Sequence, residues 1–438
     1  MKAPRIRRIF YAVVPFRFRY EKTFRKTLSF LKKSNKEEIN NRSNYQFEEL
    51  KKLLVHSYQS VSYYRNLFDK IKFNPEEFKS FSEMERIPFL TKEIIVNNFD
   101  ELQSDRYSNA KKYEITTSGS TGKKLKLLVT DDVFKKEAAF VLNAYHAHGA
   151  TLYNKPSVWL RRYVPENEND SIYKYDFELK RLYMSAYHLN ENSVYSYFKV
   201  INDRKFHTLV GYPSSIYLLA LLAEGTNLKF DHIKSIHVAS EMMLPMWRDK
   251  IRQVFNLIPY AHYGQMEKVV FMHQKDKTGF YVNNPEYGYT ELFENGDQFE
   301  IIGTGFINYA MPLIRYKTND LAIGPSYQAG ELMGVESIIG RNDDFLTSAQ
   351  GNRIPGVNFY SWVNKSLPSI TLFQIKQLKN RKVLFKFVSE GNNLTELVQI
   401  IKDGLTARLG NVEMEIEQVE SILRDPNSNK LRAIISEV

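Results

Sequence analysis

Five hydroxyl residues and two glycines stand in a row at Thr116-Thr117-Ser118-Gly119-Ser120-Thr121-Gly122, and Lys123-Lys124 follow. Such a run makes a poor helix and a poor core. Glycine lets the backbone turn at no steric penalty, so successive N–H groups can face one concavity. Hydroxyls add donors and the two lysines add positive charge, which suits a polyphosphate. The same composition also suits a flexible linker. It is not a Walker loop: no glycine stands five residues before Gly122, and no Ser or Thr follows Lys123. What decides between cradle and linker has to come from elsewhere in the chain.

The 438 residues suffice for two or three domains, each with its own core. Apolar content of 43% and charged content of 25% are those of a water-soluble globular protein, and no run of eighteen apolar residues appears. Cysteine is absent, which excludes disulfides, a thiol nucleophile and thiolate metal sites. A reducing cytoplasm fits, and no cleavable signal pattern is expected. His146-Ala147-His148 is a poor metal pair, because two positions on a predicted helix face different ways; surface placement is expected for both.

Along the chain, apolar residues recur at three- and four-residue steps from Phe47 to Phe68, predicting one helix over 46–68. Thr91 is the expected cap of a short helix. Leu125 to Val129 reads as a strand, and Asp131 or Asp132 as the cap of a helix running to Gly149. From about 155 to 335 short apolar strands alternate with helices and then follow one another directly, as in α/β layers joined to an antiparallel region. Beyond 340, a hairpin over 370–388, a helix from Leu394 to Leu409 capped by Gly410, and strands over 412–419 and 431–436 make a small α+β unit.

Five stretches in fixed order carry the functional signal: the Ser/Thr/Gly turn; Ala239-Ser240-Glu241; Tyr263-Gly264-Gln265-Met266-Glu267; Pro312 to Asp320; and Gly340-Arg341-Asn342-Asp343-Asp344. Each alone has a plainer reading, with Glu267 as a surface cap, Asp320 as a turn acid and Arg341 to Asp343 as a solvated linker. Together they resemble the acyl-adenylate-forming superfamily, most closely its phenylacetate–CoA ligase branch, which includes CapK-like proteins of polysaccharide biosynthesis. Ser62-Tyr63-Tyr64-Arg65, Ile87 to Lys92 and Gly211-Tyr212-Pro213-Ser214 are similar to that branch too, so the resemblance covers nearly the whole chain.

The resemblance implies a large N-terminal adenylate-forming domain of layered sheets and helices (1–342), hinged near 341–345 to a small mobile α+β domain (343–438). It implies ATP and Mg²⁺, a carboxylic acid as substrate, and CoA or an amine, such as an amino sugar or sugar acid, as acceptor. Thr117, Ser118, Gly119, Ser120, Thr121, Gly122 and Lys123 would wrap the phosphates. Ser240 and Glu241 would line the adenine pocket, with Tyr263 and Gly264 at the ring. Glu267 would hold Mg²⁺, Asp320 the ribose hydroxyls, and Arg341 ribose or phosphate. Asp343 would be the hinge, and Lys430 would neutralise charge during adenylation.

Three positions depart from the family pattern. Met266 stands where a Thr or Ser usually precedes the metal-binding Glu, so one hydroxyl is missing. Asn319 and Asn429 replace glycines, a mild change because Asn tolerates a left-handed backbone. Met266 keeps a second reading open, a non-catalytic nucleotide-binding descendant acting as a binding or scaffold protein. Arg161-Arg162, after a strand, could meet an anionic substrate group or simply end that strand in water.

The net charge of +11 is partly concentrated at the start, where residues 1–20 hold six Lys and Arg and no acid, interleaved with aromatic and aliphatic residues. Such a segment either packs as an arm on its own domain or lies on the anionic inner face of a membrane. Nucleic acid is not expected, since no recognition module accompanies the charge. If the membrane reading holds, deleting residues 1–20 lowers co-sedimentation with anionic vesicles; unchanged binding would remove it.

Overall fold

The computed structural model describes residues 22–117, 125–150, 157–161, 163, 171–177, 179–341, 345–389, 394–423 and 431–438. The N-terminal apolar spacing becomes α1 (Lys22–Ser34), α2 (Ile39–Ser60) and α3 (Ser62–Lys70). The single helix expected over 46–68 is therefore two. Val61 is extended and fully buried between them, while Tyr63 N–H donates to Glu101 C=O at 3.1 Å. Because α3 restarts one residue later, the apolar periodicity runs on through the break. Thr91 caps α4 (Lys92–Asn97), accepting from Ile94 N–H.

Strands β1 (Lys112–Thr117) and β2 (Leu125–Thr130) pair antiparallel, and α5 (Asp131–His146) follows. Thr130 is the N-cap of α5, with Asp131 and Asp132 inside its first turn. The helix stops short of the expected Gly149. Next come β3 (Ser157–Arg161), β4 (Tyr173–Asp176), β5 (Arg181–Ser185), α6 (Val194–Asp203), β6 (Thr208–Gly211), α7 (Pro213–Ala223), β7 (Ser235–Ala239), α8 (Pro245–Phe255) and β8 (Pro259–Gly264). Pro213 and Pro245 each open their helix, where a missing N–H matters least. Then β9 (Phe271–Gln274), β10 (Tyr281–Asn283), β11 (Gly288–Asn295), β12 (Gln298–Gly305), β13 (Tyr316–Gln328) and β14 (Glu331–Arg341) follow without helices.

The last dozen of these strands, β3 to β14, share one sheet in the order β11-β12-β13-β14-β10-β9-β8-β7-β6-β3-β5-β4. Strands β5, β3, β6, β7 and β8 are mutually parallel; β9 to β14 are antiparallel. Strands β6 and β7 are buried at every residue, as a parallel sheet covered on both faces requires.

Beyond residue 344 stand β15 (Phe345–Thr347), β16 (Arg353–Pro355), α9 (Gly356–Ser366), β17 (Ile370–Gln377), β18 (Val383–Ser389), α10 (Leu394–Leu409), β19 (Met414–Gln418) and β20 (Ile434–Ser436). The last two are shorter than the sequence suggests. The order β19-β18-β17-β20 forms a four-stranded sheet. Ile401, Leu405 and Leu409, four residues apart, present one buried stripe of α10, and Gly410 turns out of it at φ +75°. The buried apolar residues accordingly fall into two cores, one spanning Phe24 to Val335 and a smaller one spanning Leu346 to Ile434. The fold is the expected large α/β domain followed by a small α+β one.

The start of β13 is tied to the N-terminal region. Tyr64 Oη donates to Pro312 C=O and accepts from Ile314 N–H, both at 3.0 Å. Leu90 donates to Arg315 C=O and accepts from Lys317 N–H. Arg315, in a left-handed conformation at φ +53°, sends a two-pronged ion pair to Glu291 and donates to Ile87 C=O at 2.5 Å. Replacing Tyr64 by Phe leaves a buried N–H and C=O without their bridge. The urea midpoint should therefore fall by an amount equivalent to about 1–3 kcal/mol; an unchanged midpoint would show that the hydroxyl bridge bears no load.

Candidate active site

Ligands of open α/β sheets sit outside the carboxyl ends of the parallel strands. At that edge Tyr263, next to last in β8, donates its hydroxyl to Asp320 Oδ2 at 2.7 Å. Burial, and next the Asp320 carboxylate, push the phenol well above its ordinary range, so it remains a proton donor. Gln265 Nε2 approaches the same hydroxyl at 3.4 Å. Glu267, four residues after Tyr263, accepts from the Tyr316 hydroxyl through Oε1 at 3.1 Å. Its Oε2 takes no hydrogen bond among the described residues. A half-buried carboxylate with one oxygen open fits Mg²⁺, which binds through one or two carboxylates together with substrate phosphates.

The strand carrying Asp320 is not regular. Glu300 pairs with Leu321 while Ile302 pairs with Lys317, so three residues of β12 face five of β13. The surplus is taken up at Thr318-Asn319. Asn319 is left-handed at φ +59°, Thr318 Oγ1 donates to Ile301 C=O at 2.7 Å, and Asp320 N–H donates back to Thr318 Oγ1 at 3.1 Å. A bulge of this kind re-aims the next side chain, here Asp320. It also gives Asn319 the backbone conformation expected of the residue it replaces.

Ser240 follows β7, exposed and left-handed at φ +75°. Glu241 accepts from Ser214 N–H in the first turn of α7 at 3.1 Å, where a helix N-terminus favours negative charge. Its other oxygen accepts from Leu431 N–H at 3.2 Å, which joins the large domain to the small one. Leu431 also packs on the large core. Gly264 ends β8. Arg341 ends β14 with its backbone opposite Asp320 in register, but its side chain lies outside what the structure describes.

Thr117 ends β1 opposite Leu125, so the Ser/Thr/Gly run joins the two ends of one antiparallel pair. Met311 and Asn308, just upstream of β13, bond the backbone of Leu128 on that hairpin. Ser118, Gly119, Ser120, Thr121, Gly122, Lys123, Asp343, Lys430 and residues 1–20 lie outside the described residues. Tyr316, Gln265 and Ser214 join the site although their residue types alone do not mark them for it. Tyr316 and Ser214 fall inside the motif stretches, but only the folded sheet shows what their polar groups meet.

Beneath the edge lies a group of rings that corrects one expectation. His146 and His148 are half-buried rather than on the surface. His148 stacks on Tyr260 at 3.5 Å between centroids and bonds Gln274 C=O at 2.6 Å. Tyr145 stacks on His237 at 4.1 Å and approaches His262 Nδ1 at 3.4 Å. The reason is that α5 ends at His146, so His148 follows the turn back toward the sheet. Among the described residues no cluster of three or more His, Asp or Glu side chains is placed to hold a metal ion. Burial lowers His262 to about 3 and His273 to about 4, and lowers His237 well below 6.5. Unfolded imidazoles take up a proton near 6.5 while these do not, so the unfolded state binds more protons below that pH. Stability is then complete above pH 6.5 and falls, by about 1.4 kcal/mol per pH unit for each neutral imidazole, toward pH 4. Urea midpoints across this window should drop steeply, and His262→Gln should flatten the drop; equal slopes would refute the linkage.

No family model matches the chain. It is 25% identical to protein CapK of Staphylococcus aureus over 428 residues, covering 95% of this chain and 93% of that one. It is 24% identical to a phenylacetate-coenzyme A ligase of Aromatoleum evansii over 412 residues, covering 89% and 84%. Among solved structures, 2-hydroxyisobutyryl-CoA ligase in its postadenylation state with 2-HIB-AMP superposes with a TM-score of 0.68. It is 16% identical and covers 90% of this chain and 89% of its own. The sequence likeness is to CapK and to phenylacetate–CoA ligases along nearly the whole chain, and the fold is that of 2-hydroxyisobutyryl-CoA ligase, an acyl-CoA ligase.

Proposed function

We propose that this adenylate-forming chain is an ATP-dependent ligase that activates a carboxylic acid and hands the acyl group to CoA or to an amine. The observation that carries the reading is the pairing of Tyr263 with Asp320 beside Glu267 and Tyr316, at the ends of the parallel strands. In the first step a carboxylate oxygen bonds to the α-phosphorus of ATP while the bond to the bridging oxygen breaks, and pyrophosphate leaves. In the second a thiol or amine attacks the acyl carbon and AMP departs.

The protein must bring two anions together and steady the charge that builds between them. Asp320, an acceptor-only group, takes the ribose hydroxyls beside the hydrogen bond it accepts from Tyr263. The Tyr263 ring faces adenine beside Ser240. Glu267 holds Mg²⁺ through its open oxygen; the ion, when bound, offsets phosphate charge. Thr117 to Gly122 and Lys123 receive the phosphates. Arg341 reaches ribose or phosphate, and Asp343 is the pivot between two arrangements of the small domain. Lys430 is the cation of the first step.

The likeness to CapK supports a place in surface-polysaccharide assembly, and with it an amino sugar or sugar acid as acceptor. Among the described residues no helix is long and apolar enough to cross a membrane; contact with the inner face is assigned to residues 1–20 for their positive charge and interleaved aromatic residues. A second reading, a nucleotide-binding descendant without catalysis, is favoured by Met266. This residue is 41% exposed beside Glu267 and offers a thioether where a hydroxyl would help. ATP binding followed by pyrophosphate release across a carboxylate library separates the two readings, since binding without release for every acid supports the second. Under the ligase reading, Lys430→Ala slows ATP–pyrophosphate exchange by about 10²–10³-fold while ATP still binds. Undiminished exchange would remove Lys430 from the mechanism.

A further inference from the structure

Arg161 is the last residue of β3, at the same strand-end edge as Tyr212, Ser240 and Tyr263. Its guanidinium lies 4.9 Å from the Trp159 ring and 5.8 Å from the Tyr212 ring. Its Nε is shut off from solvent and has no hydrogen-bond partner, and no ion pair to it occurs among the described residues. Arg181, on the other strand flanking Trp159, lies 4.3 Å from the same ring, but it stands opposite Asp176 in register. In register on β5, Arg161 stands opposite Ser185, which carries no charge. The neighbouring polar rings, Tyr145 and His262, are neutral, since burial raises the phenol and lowers the imidazole.

Arg161 is half-buried, with its Nε closed to solvent; a guanidinium does not lose its proton in a protein, so that loss of hydration cannot be relieved by neutralisation. Aromatic faces compensate only part of the lost hydration. A planar fork of N–H donors lying near two aromatic rings, with a buried donor unused, suits an oxyanion that arrives with a ligand. Strands β3 and β8 are three steps apart in the sheet, about 14 Å. That backbone spacing sets Arg161 and Tyr263 at different points of the strand-end edge, which suits the guanidinium to the part of the acid remote from the nucleotide.

We infer that Arg161 reads a second negative charge on the carboxylic acid, so that the substrate is a dicarboxylate or an acid bearing an equivalent anionic group. The inference rests on the adenylating reading. Dianionic acids should outrun partners in which the second carboxylate is a methyl group: glutarate over valerate, adipate over hexanoate, isophthalate over 3-methylbenzoate. The measurement is pyrophosphate release with ATP. Arg161→Met should lower kcat/KM for the favoured dianion by about 10–100-fold, mainly through KM, and leave its methyl partner unaffected. Arg161→Lys should restore part of the loss, and Arg181→Met should not change the preference.

Three results would overturn the assignment, and they differ. If methyl acids are used as well as dianions and Arg161→Met changes nothing, Arg161 is not the reader, yet adenylation stands. If Arg161→Met slows both members of each pair alike, its role is structural. If the wild-type protein binds ATP but releases no pyrophosphate with any acid, the adenylating reading fails and this assignment falls with it.

Discussion

The clamp on residues 312–317 is the constraint on which the site depends. Arg315 is buried and positively charged, and its ion pair with Glu291 is itself largely out of water. Burial holds the Glu291 carboxyl above its usual range even against Arg315, so the pair is under tension rather than simply stabilising. What the arrangement secures is position. With Tyr64 bridging Pro312 and Ile314, and Leu90 bonding both Arg315 and Lys317, the strand leaves its clamp in one register only. Tyr316 lies within this clamp, between the two residues that Leu90 holds, and Asp320 stands three residues past its end.

From that anchored start, a local irregularity does the aiming. Had β13 paired without a bulge, Asp320 would stand elsewhere relative to Tyr263 across the sheet. The two carboxylates of the site are then distinguished by what each already holds. Asp320 accepts the Tyr263 phenol from across the sheet, and Glu267 accepts the Tyr316 phenol, on the same strand as Asp320, through one of its oxygens. Glu241 performs a third task, binding backbone groups on two domains at once. Three acids of similar intrinsic chemistry thus serve three roles through their surroundings.

Much of the architecture is legible in the amino-acid order. The alternation of short apolar strands with helices between 155 and 265 implies a buried parallel sheet, because strands covered on both faces must be apolar at every position. The tail after 345 is legible as hairpin, helix and short strands, with Gly410 marking a helix end. Other features are not. The break at Val61 leaves no mark, since an extended residue that is itself buried keeps the apolar rhythm intact. Surface placement of His146 and His148 follows only if helical geometry continues past His146, and the helix stops there. Tyr316 carries no local sign of a role, since its partner Glu267 lies 49 residues away.

The amino-acid sequence by itself determined the class of fold, the order of its motifs and the residue types available at each. These follow from local periodicity, from backbone preferences of Gly, Asn and Pro, and from composition. Tertiary structure alone decided which of those residues meet. Tyr263 reaches Asp320, Tyr316 reaches Glu267, Leu431 reaches Glu241, and Arg161 lies near two aromatic rings with a donor unused. Strand pairing and sheet order bring together residues 49 to 190 positions apart, and no local pattern in a chain encodes a distance of that kind.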